Sequence, residues 1–149
     1  MIEADEAEKG LGEEPQRGFA ADHSLDAYTS LFGLVLLSYG YRCALTGAQF
    51  GPPKLHLHPD LDVVAIQPFQ QGGPLSISNC LPLLSSLNRP FIGGLITIED
   101  NYRILVPHPD LLGADVLAAL RVTLAMPADE MLWPARDMLA YHRHYALGR

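Results

Sequence analysis

Residues 63–98 read VVAIQPFQQGGPLSISNCLPLLSSLNRPFIGGLITI, and this stretch decides the fold. It begins with an apolar, β-branched run that is typical of a buried strand, and Pro68 ends the run because proline cannot donate to a strand ladder. A Gly/Pro loop follows, then a short apolar segment interpreted as a helix over residues 79–89. A second β pattern starts after Gly93 and Gly94. A strand, a polar loop, a short helix and a return strand form a compact unit that can build a site.

The whole chain has the composition of one globular domain. Its 149 residues and a mean hydropathy of +0.10 allow a substantial core. No apolar run approaches the ~20 residues that a membrane span needs. Residues 1–22 are acidic and lack periodicity, which predicts a flexible leader before a single domain over residues 23–149. Since this N-terminus does not resemble a signal peptide, we expect a cytoplasmic protein.

The charge distribution is unfavourable for a general nucleic-acid binder. The formal net charge is −7, with two cations against six carboxylates in residues 1–17 and eight against eleven in the rest. Nucleic-acid-binding proteins usually show a basic patch or stripe. The two cysteines, Cys43 and Cys80, form no CxxC pair and so lack the signature of a structural zinc site. We interpret both as reduced, semi-buried thiols.

Periodicity and turn residues predict the elements that surround this unit. Amphipathic or apolar helices are predicted over residues 24–40, 111–124 and 135–147. A short β segment is predicted over residues 41–47, a strand over 61–66, and a hairpin of 94–99 with 102–106 around Asp100 and Asn101.

Residues 55–60 read LHLHPD and offer a candidate metal site. His56 and His58 lie two residues apart, so they share one face if the segment is extended. Together with Asp60 they could supply imidazole and carboxylate ligands to a divalent metal. The alternative is a solvated loop whose histidines bind nothing, and two histidines with one aspartate are a weak signal.

The last predicted helix carries the basic cluster of the chain, which is a candidate for phosphate contacts. Its members are cationic or titratable and lie near the C-terminus: Arg136, His142, Arg143, His144 and Arg149. The alternative is a solvated helix end, where cations interact favourably with the negative end of the helix dipole.

Several ordered motifs of the chain resemble those of the HNH endonuclease domains of bacterial restriction-type proteins. VVAIQP stands where that family has a strand ending in Ala-His-Ile-x-Pro, and Asn79 in SNCLPL matches its central Asn. LNRPFIGGLITI matches Leu-His-x-x-Phe-Asp-x-Gly-Leu-x-x-Ile, while YRCALTG and LAYHR resemble its first and last motifs. The resemblance implies an α+β fold with an HNH-like ββα core, flanked by an N-terminal helix and C-terminal helices.

The same resemblance places unreactive residues at the family's reactive positions. Its general-base histidine corresponds to Ala65, its second histidine to Asn88 and its nearby acid to Ile92. Alanine can neither accept a proton nor bind a metal, and an amide is a poor ligand beside imidazole. Asn79 and Asn88 are therefore the candidate residues of a degenerate catalytic site.

Three functions follow as hypotheses. The leading one is a catalytically degenerate HNH-fold domain that acts as a binding module, with no cofactor expected and a protein partner or self-association ranked above DNA. The alternative is an active metal-dependent nuclease that hydrolyses phosphodiester bonds through a relocated site, built from the LHLHPD segment or from His142 and His144. The third is a small-ligand regulatory domain that reuses the old cleft.

Overall fold

The computed structural model describes residues 25–54 and 58–147, and the predicted leader, His56 and Arg149 lie outside these ranges. The described chain has an α+β fold, as predicted. In chain order its helices and strands are α1 (Leu25–Ser38), β1 (Leu61–Ala65), β2 (Cys80–Leu84), α2 (Asn88–Ile92), β3 (Thr97–Ile98), β4 (Ile104–Leu105), α3 (Ala114–Ala119) and α4 (Arg136–Leu147). Among the described residues, no helix is long and apolar enough to cross a membrane.

The central element is an antiparallel pair of strands, β1 and β2, whose register runs from Leu61 opposite Leu84 to Ala65 opposite Cys80. The helix predicted over residues 79–89 is therefore wrong over Cys80–Leu84, whereas its end overlaps a 3-10 helix at Ser85–Leu87 and the start of α2. An apolar run this short does not distinguish a helix from a strand that is buried on both faces. Pro82 breaks helices, but here it fits the sheet because only its carbonyl is used, accepting from the Ala44 N–H at 2.8 Å.

Residues 121–125 form an extended segment that connects this strand pair to the second hairpin. On one side the Ala125 N–H donates to Ala44 O (2.8 Å), and on the other the Leu124 N–H donates to Tyr102 O (2.9 Å). The helix predicted over residues 111–124 is accordingly wrong beyond its first half, since α3 ends at Ala119. Hydrogen bonds on both sides and the burial of Leu124 favour the extended backbone over local helix propensity. The β segment predicted over residues 41–47 is reduced to one bridge, Arg42 to Gln49.

The second hairpin is confirmed, although its strands are short. Thr97 pairs with Leu105 and Ile98 pairs with Ile104. The turn between them closes with the Tyr102 N–H donating to Glu99 O at 2.8 Å, and Tyr102 takes a left-handed backbone with φ 69°.

The predicted first and last helices are confirmed as α1 and α4, and both pack on the strands. Helix α1 buries Tyr28, Val35 and Leu36, while Leu139 of α4 is 1% exposed. Helix α4 lies against β3, and the short α2 follows β2. Consequently α2 and α4 both face the end of β1, which is where a cleft opens.

Candidate functional site

The cleft lies at the end of β1 and is lined mainly by apolar and aromatic groups. Its members come from β1 and the following loop, from α2 and from α4: Ala65, Ile66, Pro68, Gln71, Phe91, Ile92, Tyr141, His142 and Tyr145. The cavity is small, about 50 Å³. Ala65 is the residue that the resemblance aligned with a general base, so this cleft is where the reaction centre of an HNH domain is expected.

Asn79 holds the loop that leaves β1. Its side chain is fully buried, its Oδ1 accepts from the Gln67 N–H (2.9 Å), and its Nδ2 donates to Gln67 O (3.0 Å) and Pro74 O (3.1 Å). Gly73 lies against the same group, because a Cβ there would be 1.9 Å from Gln67 O and 2.8 Å from Asn79 Nδ2. The geometry of Asn79 is therefore that of a loop anchor, with its amide fully engaged by backbone.

Asn88 opens α2 and hydrogen-bonds in a different direction. Its Nδ2 donates to the Asp62 carboxylate, and its buried Oδ1 has no hydrogen-bond partner within residues 25–54 and 58–147. Asp62 belongs to β1, 26 residues earlier in the chain, and no local signal in the sequence indicates the pair. The two residues predicted for the degenerate site thus make separate contacts.

His142 is the histidine that reaches the cleft. Its ring stacks on Phe91 with centroids 4.0 Å apart and planes 7° apart, and its Nε2 lies 2.7 Å from Phe91 O. A carbonyl oxygen only accepts, so Nε2 carries the proton and donates it to this bond. That nitrogen therefore has no lone pair to offer to a proton or a metal while the bond is made.

Two tyrosines form the rim of the cleft. The Tyr141 hydroxyl donates to Gln71 Oε1 at 2.6 Å, and its ring lies 4.7 Å from that of Tyr145. Desolvation and the hydrogen bond to Tyr145 raise the pKa of Tyr141 to about 12, so its hydroxyl is protonated at neutral pH. Ile92, the position aligned with the family's acid, is 55% exposed beside them. The rim therefore offers apolar surface and the neutral Tyr141 hydroxyl.

His58, the described histidine of the predicted metal site, is buried in a structural role. Its Nδ1 accepts from the N–H groups of Asp60 (3.0 Å) and Leu61 (3.1 Å), and its Nε2 donates to Gly51 O (3.0 Å). Both nitrogens are engaged, so metal binding by His58 requires these bonds to break. Within residues 25–54 and 58–147, no three His, Cys, Asp or Glu side chains are placed to hold a metal.

The predicted basic cluster is partly engaged within the domain. Arg143 donates to Ile98 O (2.7 Å) and forms an ion pair with Asp100 (2.8 Å). Arg136 donates to Asp100 O at 3.2 Å, so both guanidinium groups hold the β3–β4 turn against α4. His144 is exposed, and His142 points into the cleft instead of toward solvent.

The buried cysteine of β2 has no reactive form at neutral pH. Cys80 is fully buried opposite Ala65, and burial raises the pKa of its thiol to about 12. A thiolate is the form that attacks electrophiles or binds metals. Cys80 therefore contributes packing at this end of the strand pair, in line with its interpretation as a reduced thiol.

The fold and the cleft define an α+β domain in which a strand pair and a short helix frame a small apolar cleft. No protein-family model matches the chain, and neither does any curated protein. A solved structure, a modification-dependent restriction endonuclease named TagI, is similar in fold with a TM-score of 0.55 and 20% identity. The match covers 85% of this chain and 40% of that one. The domain therefore has a fold that occurs within a restriction endonuclease.

Proposed function

We propose that this chain is an HNH-type domain that has lost hydrolysis and acts as a binding module. The observation that carries the proposal is Ala65 at the end of β1, in the cleft where the resemblance requires the general base. Around it stand the apolar side chains of Phe91 and Ile92 and the aromatic rings of Tyr141 and Tyr145.

Phosphodiester hydrolysis needs a base and a metal site, and His142, the imidazole that lines this cleft, has its Nε2 bound to Phe91 O. A base must take a proton from water, and in HNH domains a divalent metal stabilises the charge that develops on the phosphate. Loss of the base alone lowers the rate by about 10²–10⁴-fold. The described donor set does not fit a metal either, because the amide at Asn88 is bound to Asp62 and no cluster of three ligands is present there.

The structural likeness to a restriction endonuclease supports the part of the proposal that concerns the fold. That neighbour is named for cleavage that depends on DNA modification, and this chain corresponds to 40% of its length. At 20% identity the likeness supports the fold alone. We therefore do not transfer the neighbour's reaction to this chain, and we propose a binding role for it.

A protein partner ranks above DNA because of charge. The chain has a net charge of −7, and Arg136 and Arg143 already hydrogen-bond to the β3–β4 turn. Nucleic-acid affinity depends on cations that are free to neutralise phosphates. Two arginines that hold a turn of their own domain are poorly suited to that task.

One observation favours a second function, an active nuclease with a displaced centre. His142 of α4 lines the same cleft as Ala65, so an imidazole does reach the expected position of the reaction. In this reading His142 would exchange its bond to Phe91 O for a water molecule. The alternative therefore predicts that His142→Ala abolishes cleavage.

A cleavage assay of the purified protein separates the two functions. Supercoiled plasmid, single-stranded DNA and RNA are incubated with Mg²⁺, Mn²⁺, Ni²⁺ or Zn²⁺, with EDTA as the control. We expect no metal-dependent product from the wild-type chain. Cleavage that EDTA and His142→Ala both remove would overturn the binding-module proposal, and loss in His56→Ala/His58→Ala would assign the activity to the LHLHPD segment instead.

A reconstitution experiment tests the HNH assignment of the frame. Ala65→His with Asn88→His restores both imidazole positions, and adding Ile92→Asp restores the acid. We expect metal-dependent nicking to appear in the triple variant, with Ala65→Asn/Asn88→His/Ile92→Asp as the matched control that lacks a base. Equal nicking by the two triple variants would contradict the assignment of position 65 to the base.

A further inference from the structure

Helix α1 has an apolar outer face that the described residues leave exposed. The face consists of Ser30, Gly33, Leu34 and Leu37, and the two leucines are 52% and 60% exposed. At 3.6 residues per turn, these four positions fall within a sector of about 100°. Residues 27–41 contain no charged side chain. Since the solvent face of a surface helix normally carries charges, α1 has the composition of a helix that is buried on both sides.

We infer that this α1 outer face is the contact of a symmetric homodimer in which two copies of α1 pack antiparallel. A two-fold contact must be self-complementary, so residue i meets j while j meets i. With the axis between positions 33 and 34, Leu34 meets Gly33 of the partner subunit. Leu37 likewise meets Ser30 of the partner subunit. Each large side chain then lies over a small one, and this match favours a second copy over an unrelated partner.

Gly33 supports close approach of another helix. A Cβ built at this position meets nothing within 4 Å, so packing among the described residues does not require glycine. Glycine within a helix is nevertheless less stable than alanine. Since the described residues give no reason for this cost, the glycine is explained if a second backbone approaches there, as it does beside Leu34 of the partner subunit.

Charges at the helix ends agree with the antiparallel arrangement. Asp26 is the acidic residue in the first turn of α1, and Arg42 follows the helix at its other end. In an antiparallel pair, the first turn of one α1, which carries Asp26, lies beside the end of the other, where the Arg42 side chain donates to Tyr39 O at 3.1 Å. The symmetry produces two such pairs. A nucleic-acid occupant, in contrast, would find no cation between positions 27 and 41.

The face is one helix long, so the dimer is expected to be weak. A 14-residue helix spans about 21 Å, and interfaces below roughly 1,200 Å² of total buried area belong to transient complexes. We therefore expect dissociation in the micromolar range or above. This inference is independent of the proposed function, because α1 does not line the cleft.

The first experiment measures self-association by analytical ultracentrifugation over roughly 10 μM to 1 mM, which brackets such affinities. The wild-type chain should shift from monomer to dimer. Leu34→Gln/Leu37→Gln should raise the dissociation constant by more than about tenfold, a change of 1.4 kcal/mol. The matched control is Leu111→Gln/Met131→Gln, which alters two side chains outside α1 that are 61% and 84% exposed and should leave dimerisation unchanged. A wild-type chain that stays monomeric throughout would overturn the inference.

The second experiment tests the antiparallel geometry with a short bismaleimide crosslinker. The two natural thiols, Cys43 and Cys80, are fully buried, so an added cysteine is the reactive one. In the proposed register, two copies of position 30 are offset by about 10 Å along the helix axis, and two copies of position 25 by about 25 Å. Ser30→Cys, which keeps Gly33 in place, should therefore crosslink and Leu25→Cys should not. Equal crosslinking of both variants, or crosslinking only at position 25, would overturn the arrangement.

Discussion

The loop anchor and the cleft lie within a few residues of each other, yet they use polar groups in opposite ways. At the anchor, the Asn79 amide makes three hydrogen bonds to the backbone of the loop after β1, and Gly73 leaves room for them. In the cleft, Ala65 and Ile92 stand at positions where the HNH resemblance requires reactive groups. The difference shows that the shape of this loop depends on the anchor and is independent of the side chains that would carry chemistry.

The same contrast in hydrogen bonding is seen between Asn79 and Asn88, which have identical side chains. Asn79 makes three hydrogen bonds and is fully buried, whereas Asn88 makes one to Asp62 and leaves its Oδ1 without a partner among the described residues. An amide that satisfies backbone groups is difficult to replace. An amide that makes a single side-chain bond is easier to replace, as at Asn88, the position that the resemblance aligns with a histidine of the family.

The largest expected effect is at Gly73, since an added methyl group would overlap the Gln67 carbonyl at 1.9 Å. We expect Gly73→Ala to lower the free energy of unfolding by about 3 kcal/mol or more, because both neighbours are backbone or anchored. Urea denaturation measures the change. Gly51→Ala is the matched control, since a Cβ there meets nothing within 4 Å, and its effect should stay within about 0.5 kcal/mol. Similar losses in both variants would argue against the anchor.

The next largest loss of stability is expected for Asn79→Ala, and Asn88→Ala provides the comparison. Asn79→Ala leaves the Gln67 N–H and the Gln67 and Pro74 carbonyls without their partner, so we expect a loss of about 3 kcal/mol in unfolding free energy. Asn88→Ala removes one bond to Asp62 and should cost about 1 kcal/mol. Urea denaturation of the two variants under one condition tests the ranking. Equal losses, or a larger loss at Asn88, would contradict the distinction between anchor and cleft.

Cys80, which lies opposite Ala65 in the strand pair, should make the stability of the fold depend on pH. Its pKa is about 12 in the folded protein and 9.0 in its ordinary state. Below pH 9 both states keep the proton, and above it the unfolded state loses the proton first, so stability falls as pH rises toward 12. We expect a loss of about 1 kcal/mol from this group between pH 8 and 10. Urea denaturation at both pH values should show a smaller loss in Cys80→Ala, and an equal loss would exclude the thiol as its source.

The sequence predicts the fold where a pattern is long or a turn is marked. The three- and four-residue steps of α1, the turn residues Asp100 and Asn101, and the start of α4 after Pro134 lead to the observed elements. The pattern fails over residues 80–84, because a five-residue apolar run satisfies both a helix and a doubly buried strand. It also fails over residues 120–125, where hydrogen bonds to Ala44 and Tyr102 from distant parts of the chain hold an extended backbone.

The candidate site was only partly predictable for a similar reason. Asn79 and Ala65 are found by motif, since both lie in stretches that match in order along the chain. The contact of His142 with Phe91 and the bond of Asn88 to Asp62 span 51 and 26 residues, and nothing in the local sequence marks them. The role of His58 is also tertiary, because both of its nitrogens are engaged by backbone groups that the fold brings together.

The smallest expected effect concerns the ion pair between Arg143 of the basic cluster and Asp100. Asp100 is 61% exposed and pairs with Arg143, and ion pairs at such sites contribute about 0–1 kcal/mol. Asp100→Asn should therefore lower unfolding free energy by less than about 1 kcal/mol, since the Arg143 bond to Ile98 O remains. The same variant frees the guanidinium from its carboxylate, so it also tests the role of the cluster. If the cluster contacts phosphate, fluorescence anisotropy with a short DNA duplex should show tighter binding in Asp100→Asn than in wild type. We expect unchanged, weak binding, because Arg143 is still held by a backbone carbonyl and the domain stays acidic.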